Sequence, residues 1–588
     1  MIGKYLGSDL PAGRVTDTVG TMLLRRVERR PEHPVFAMRA PGRGYEAVSW
    51  QTLLAHVSSI ACFLRERGID PADRVAVYSP NSYRMLVWEL AVTAMGAVSV
   101  PIYAGHGRGS VEAILLHSEP GALYVDGESR LANVEACRGR EFVHTLVTGD
   151  PSKPIHFDRI LEGGSVEAFR AMVRSVDPED VAFIQYTSGT TGDPKGVMLR
   201  HRNILSQQLA LEQVWEIRRH SRFLSYLPWH HSFGGLFERF TALYQCATLY
   251  LEDSLGKNIH RLIQNWRIVR PTQFFSVPKV YVELVAEARL NPEIREILFH
   301  PDLKFVFTAA APLPRECGEY FKSHGVAVLE GWGLTETSPC VTLTAPGRER
   351  VHSFVGDPIP GCEIVTDQEN EIYVRGPNVM KGYYKDPERT KEAIDGCGWF
   401  HTGDLGEISD YGLRIICRLD GLFKLSSGEK VSSMLVENAL TLSARWIENA
   451  VAMGSGEGWV SALIFPNFQS VASWAKKAGK EWSDDGELVT DPDVQELIAD
   501  EVRSGMLDFQ PKFMAVKAFA IIPKQLGVDA GELTPTMKVI RHRVAAKYAS
   551  WGRAIYRPEE HPDLRPHIVY LSEDPETASG DSSRPMED

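Results

Sequence analysis

A basic excess is missing from this chain of 588 residues: 64 Lys and Arg stand against 76 Asp and Glu, a net charge of −12. A broad nucleic-acid surface needs a basic patch, so nucleic acid is not an expected partner. Cysteine is scarce as well. The eight present form no Cys-x-x-Cys pair and read as free thiols of a reducing compartment. Long apolar runs are absent too. The most apolar window, "LAVTAMGAVSVPIYAG" (Leu90 to Gly105), is shorter than the ~20 residues of a membrane span and contains a proline. It predicts a buried helix followed by a buried strand. The opening residues lack the apolar core of a signal peptide, which makes a cytoplasmic location the expectation. Peripheral membrane contact stays open, disfavoured by the lack of a basic amphipathic stretch near the start. No zinc-ligand spacing occurs, since His230 and His231 are adjacent and cannot face one metal from a regular element. No Gly-x-Ser-x-Gly elbow, internal repeat or heptad pattern is present.

What the chain does have is alternation. "DRVAVYSP", "VSVPIY" and "GALYVD" have strand character and are separated by the helical runs "NSYRMLVWELAVTAMGA" and "GSVEAILLHSE". That order predicts βαβ units and a parallel sheet. The pattern resumes with "RFLSYLP", "CATLYLED", "PTQFFSVP" and "LKFVFTAAAPLP". From about residue 355, short alternating segments with Gly and Asx turns predict a β-rich subdomain. A smaller α+β segment follows Gly421, and the acidic stretch 573–588 reads as a disordered tail.

The stretch "YTSGTTGDPKGVML" (Tyr186 to Leu199) surrounds one lysine with hydroxyls and glycines. It lies between a strand-like run and a run of helical spacing. A Gly/Ser/Thr turn in that setting offers backbone N–H groups to an anion, and Lys195 adds a fixed positive charge, so the stretch predicts a phosphate site. It is not a Walker A loop, whose spacing differs. "EDSLG" at Glu252 to Gly256 mimics a phosphopantetheine attachment core but lies inside the large domain, where chance explains it.

With "EGWGLTETSP", "GWFHTGDLG" and "TPTMKVIRHR" following in fixed order, "YTSGTTGDPKGV" resembles the adenylate-forming superfamily, over about residues 20 to 555. "PTQFFSVPKVY" and "KLSSGEKVS" look most like the long-chain fatty acyl-CoA synthetases. The resemblance implies an α/β fold with a large multi-subdomain N-terminal AMP-binding domain (1–418), a hinge (419–421) and a smaller mobile α+β domain (422–572). It implies ATP, Mg²⁺ and coenzyme A as cofactors and a carboxylic acid as substrate.

The resemblance also assigns roles. Thr187, Ser188, Gly189, Thr190, Thr191 and Gly192 would wrap the β- and γ-phosphates, with Lys195 nearby. Glu330, Gly331, Trp332 and Gly333 would flank the adenine, together with Ala310, where relatives more often carry glycine. Thr335 would meet the α-phosphate and Glu336 would hold Mg²⁺, an ion that keeps few protein ligands. Asp404 would accept both ribose hydroxyls and Arg418 would make a second ribose or phosphate contact. Asp420 matches the hinge, and Lys424, Gly428 and Glu429 match the loop presented for thioester formation. Lys538 would bridge the acid's carboxylate and the α-phosphate, which makes it the main catalytic side chain of the first half-reaction.

For the acid itself, "LPWHHSFGG" is informative. Amino-acid-activating relatives place an aspartate just after this point, whereas here Ser232, Phe233 and Gly234 stand. That favours a neutral, apolar acid, with His231 at the pocket mouth and Tyr281 at an aromatic gate. The reading is therefore ATP-dependent formation of an acyl-AMP and then an acyl-CoA from a medium- to long-chain acid, by a monomer or homodimer. Its rivals are a ligase that delivers the acyl group to a carrier protein, an adenylate-driven lactone synthetase and a non-catalytic scaffold.

Overall fold

The computed structural model describes residues 3–40, 42, 44–153, 155–188, 194–348, 350–442, 444–507, 509–527, 530–534 and 538–571. The chain divides into two compact units. The first comprises 1–402 and 406–415, the second 403–405 and the chain from 416 onward. Ile416–Arg418 and the segment around Asp404 thus group with the second unit, whereas the sequence reading carried the first domain through 418. The tail expected at 573–588 lies outside the described residues.

Among the described residues, the first unit contains a seven-stranded and a nine-stranded sheet. Strands Arg74–Tyr78, Val98–Ile102 and Ala122–Val125 pair in parallel at the centre of the first, as the alternation predicts. The helix Tyr83–Ala94 is capped by Ser82, whose hydroxyl accepts from the Met85 N–H, and every residue from Met85 to Ala94 is buried. Burial on all sides explains why that stretch shows no polar face in the sequence. The window from Leu90 to Gly105 is indeed this helix followed by the buried strand Val98–Ile102.

One expectation fails here. The stretch from Tyr186 to Leu199 does not join a strand to a helix. Val181–Ser188 and Pro194–Arg200 are two antiparallel strands, and the helix begins only at His201. "GVML" is apolar enough for either element, and pairing with Ile184 and Gln185 decides for strand. The helix that follows therefore opens beyond the second strand and not from this stretch.

The second sheet runs in parallel through Ala327–Trp332, Phe305–Thr308, Gln273–Ser276, Arg222–Ser225 and Thr248–Leu251. Covered on both faces, these strands read as continuous apolar runs. The loops leaving their C-terminal ends carry the motifs at Trp229, Ala309 and Gly333, the usual place for ligand sites in open α/β sheets. The β-rich subdomain is a five-stranded sheet that includes Glu363–Thr366, Glu371–Arg375, Phe400–Ser409 and Gly412–Arg418.

The second unit has its own core around Ile447–Met453, Val460–Pro466 and Val516–Ile521, and a two-stranded hairpin, Leu422–Lys424 with Lys430–Ser432. All eight cysteines are free. No helix among the described residues is long and apolar enough to cross a membrane.

Candidate active site

In the first unit the site grows from strand pairing. Thr187 and Lys195 lie opposite each other across the hairpin, so their side chains share one face. The short strand Gly382–Tyr383 pairs with Pro194–Arg200, setting Gly382 against Met198 and Tyr383 against Val197. That pairing brings the Tyr383 ring to 5.8 Å from the Lys195 ammonium nitrogen. The Tyr383 hydroxyl donates to Glu336 Oε1 at 2.9 Å, and the Glu336 carbonyl accepts from the Met380 N–H at 2.8 Å. Glu336 sits on the 3₁₀ turn Thr335–Thr337, and the Thr335 and Ser232 hydroxyls are 3.3 Å apart. Lys195, Glu336, Thr335 and the "HHS" turn at Ser232 are thus brought together. Tyr383 and Ser232 connect them, and neither was predicted as a site residue. "MKGYY" offers two adjacent tyrosines, and nothing local says which one faces the lysine.

Glu336 fits the magnesium role. It is half-buried, its second carboxylate oxygen takes no hydrogen bond among the described residues, and those residues contain no cluster of three or more metal-type ligands. One uncommitted carboxylate oxygen suits an ion that draws most of its ligands from phosphate and water.

Glu330, expected to flank the adenine, has its carboxylate engaged within the protein. It is buried, with one oxygen accepting from the Leu313 N–H at 3.2 Å and the other bound to Arg350 Nε at 2.8 Å. Its carboxylate is spent on holding the "TAAAPLP" turn against the strand end. The motif's Gly333 has a packing reason as well: a Cβ there would lie 1.6 Å from the Pro339 carbonyl oxygen. Gly331 and Trp332 close the same strand. Ala310 adopts φ +75°, a left-handed conformation that glycine takes more cheaply. That is a physical reason for relatives to carry glycine at this turn.

Tyr281 needs the plainest correction. It is fully buried, and its hydroxyl donates to the Phe274 and Phe307 carbonyls at 2.8 and 2.9 Å. A hydroxyl tied to two neighbouring strands makes it a core residue in this structure rather than a movable gate. His231 lies at the turn before Phe233, where Nδ1 is 3.3 Å from the Phe233 N–H. The ring of neighbouring His230 lies 4.3 Å from that of Tyr103 in a tilted pair, and burial holds its pKa well below the usual histidine value. Behind this turn stands an aromatic wall. The ring centroid of Phe233 is 6.0 Å from Phe237 and 5.9 Å from Phe307, and Phe275 and Trp215 continue it.

Gly189, Thr190, Thr191 and Gly192 lie outside the described residues, as do the side chains of Ser188 and Asp420.

In the second unit, Asp404 is nearly sealed from solvent and pairs with Arg418 at 3.2 Å. Lys424, Gly428 and Glu429 sit in an exposed hairpin whose turn uses Gly428 at φ +91°. Lys538 and Thr534 are tied reciprocally: the Thr534 N–H donates to the Lys538 carbonyl at 2.7 Å, and the Lys538 N–H donates to the Thr534 hydroxyl at 3.0 Å. The Lys538 side chain is exposed. Desolvation and then the Arg418 guanidinium hold its pKa below the usual lysine value.

Two multi-layered units, with a phosphate-type cluster beside an apolar wall, define the class of adenylate-forming enzymes. Residues 23–384 match the family model described as AMP-binding enzyme, and the chain belongs to that family. fadD11 of Mycobacterium tuberculosis is 31% identical over 465 residues, covering 70% of this chain and 78% of its own length. Long-chain-fatty-acid–CoA ligase 1 of Homo sapiens is 28% identical, covering 91% of this chain and 86% of its own. Among solved structures, ATP-bound MatB from Rhodopseudomonas palustris superposes with a TM-score of 0.71 at 23% identity, covering 91% of this chain and 99% of its own. That level of identity speaks to the fold alone.

Proposed function

We propose that the chain activates a fatty acid with ATP and passes the acyl group to coenzyme A. In the first step a carboxylate oxygen bonds to the α-phosphorus, the α–β phosphoanhydride breaks, and pyrophosphate leaves. In the second, the thiol sulfur bonds to the acyl carbon, AMP departs, and the thiol proton is released. The observation that carries the reading is the joining of Lys195, Glu336 and Thr335 through Tyr383 and Ser232, directly beside the aromatic wall at Phe233. A phosphate cluster against an apolar wall, with no acid at Ser232 to Gly234, suits an uncharged hydrocarbon tail. Relatives named as long-chain-fatty-acid–CoA ligases support the same substrate and acceptor.

Lys195 and the Thr187 strand end would hold the departing phosphates, and Glu336 would hold magnesium, which supplies charge neutralisation when bound. Lys538 would neutralise charge that builds on the reacting carboxylate and α-phosphate. Asp404 and Arg418 would hold the ribose. The hairpin of Lys424, Gly428 and Glu429 would serve the second step, with a backbone change at 419–421 exchanging the two duties.

The test incubates the protein with ATP, Mg²⁺ and a panel of acids of increasing chain length, with and without coenzyme A, and reads products by mass spectrometry. Acyl-CoA and AMP from apolar acids are the expected products. Acyl-AMP that accumulates whether or not coenzyme A is present would move the acceptor to a carrier protein, and AMP formation with none of the acids would overturn the reading.

A further inference from the structure

Outside the cluster just described, the first unit holds an open hollow of about 590 Å³ lined by five arginines, a histidine and a cysteine. Arg26, Arg29 and Arg30 reach it from the end of the helix Val19–Arg29, and Arg218, Arg219 and His220 from the loop entering the strand Arg222–Ser225. Cys246 closes it at the entry to the neighbouring strand Thr248–Leu251. Those two strands are parallel and in register, Arg222 against Thr248, so the cavity lies at their N-terminal ends. The turn with His231 and Ser232 leaves from the opposite end, one strand length of roughly 13 Å away.

Cations in the last turn of a helix complement its carbonyl end, which accounts for Arg26 and Arg29. It does not account for two more arginines arriving on a separate loop, in a chain whose net charge is negative. Among the described residues the nearby acids form few ion pairs with the group, although Glu212 and Asp17 stand near the Tyr244 ring that Arg26 covers. Asp17 pairs with Arg25, Glu28 pairs with Arg170, and among the described residues only Arg218 of the group has an acidic partner, the exposed Glu216 at 3.2 Å. No ion pair engages Arg26, Arg29, Arg30 or Arg219 among the described residues. Arg26 lies over the Tyr244 ring at 4.9 Å, with its Nε sealed from solvent and lacking a hydrogen-bond partner. A buried donor of that kind calls for an acceptor. Arg219 donates to His220 Nε2 at 3.0 Å, which orients both side chains. Five guanidinium groups around one hollow repel each other, a cost that a bound polyanion removes.

We infer that this cavity is a second anion site, built for a phosphate group carrying two or more negative charges. Guanidinium forks match phosphate oxygens in bidentate geometry, and two arginine pairs on different elements can grip such a group from both sides. Its phosphate is either free in solution or the headgroup of a lipid, and the two sources share this chemistry. The site is separate from the phosphate contacts of Lys195 and Glu336 and does not depend on the reaction assigned to them.

The test compares the full chain with two variants on separate elements, Arg29→Gln/Arg30→Gln and Arg218→Gln/Arg219→Gln. Inorganic pyrophosphate is titrated calorimetrically, and co-sedimentation is measured with phosphatidylcholine vesicles with and without phosphatidic acid. The catalytic cluster is common to all three proteins, so their difference reports the cavity. Wild type should bind one pyrophosphate more than either variant, or bind it about tenfold more tightly, with a steeper dependence on salt. Equal pyrophosphate binding, with co-sedimentation on phosphatidic acid lost in both variants, would identify the phosphate as a headgroup and sustain the inference. If both variants match wild type with both probes, the cavity is not an anion site. Urea midpoints at or above wild type are expected for the variants, since each removes like charge from an exposed surface.

Discussion

Glu330, at the end of one strand, is buried and divided between Arg350 and the Leu313 N–H, whereas Glu336, six residues on, is half-buried and keeps one carboxylate oxygen uncommitted. Both belong to the same short motif, and in the sequence both read as ligand-facing acids. Partners drawn from distant segments separate them. Arg350 turns Glu330 into a brace for the "TAAAPLP" turn, and Tyr383 holds Glu336 while leaving it room for a cation. Within one motif, a residue's job is set by what the rest of the chain places beside it.

The sharpest way to break this contrast is to remove each charge without changing shape. Glu330→Gln strands the largely buried Arg350 and should lower unfolding free energy by about 3 kcal/mol, read as a urea midpoint, while the folded fraction stays active. Glu336→Gln should leave the midpoint in place and reduce acyl-AMP formation ~10²-fold, about 2.7 kcal/mol of barrier. Similar midpoints for the two variants would erase the distinction.

Lys538 extends the comparison to a charge that titrates. Its folded pKa is lowered by desolvation and by Arg418, and its role requires the protonated form. Activity in the first half-reaction should therefore fall as pH rises through that lowered pKa, earlier than an ordinary lysine would allow. Arg418→Gln removes one of the two causes and should move the limb to higher pH, checked by an adenylation rate profile across the alkaline range. A limb unmoved by that substitution would separate Lys538 from Arg418.

Glu532, in the second unit, tests stability rather than rate. Burial would raise its pKa, but hydrogen bonds led by Lys547 outweigh that and draw it down to about 2. Because the folded value lies below the unfolded one, its contribution is complete above the ordinary carboxylate range and is lost as pH falls from there toward 2. Glu532→Gln should flatten that acid limb in a urea-midpoint series. The smallest effect belongs to Ala310→Gly, which should relieve the left-handed strain and shift unfolding free energy by about 1 kcal/mol toward stability, less what a freer unfolded chain takes back.

Most of the architecture was legible. The strand-helix alternation before residue 180, the parallel strands from Arg222 to Thr308 and the β-rich segment after 355 all follow from local periodicity and turn residues. The hairpin at Tyr186 to Leu199 was not, because "GVML" fits either element and only its pairing decides. Tyr383 was hidden for a similar reason: it reaches Lys195 through a strand pair that spans nearly two hundred residues of sequence. Tyr281 misled because an aromatic residue at a motif position says nothing about whether its hydroxyl is already engaged. The arginine cavity was invisible because its two arms, "RRVERR" and "RRH", are far apart in the chain and each alone looks like a solvated charge run.

Acid-dependent ATP–pyrophosphate exchange, measured for wild type and for Glu336→Gln at equal folded concentration, tests the central claim most directly. The account predicts exchange that requires an apolar acid and falls ~10²-fold in the variant with its urea midpoint unchanged. Exchange at the wild-type rate in Glu336→Gln would show that the cluster of Lys195, Thr335, Glu336 and Tyr383 is not where adenylation occurs.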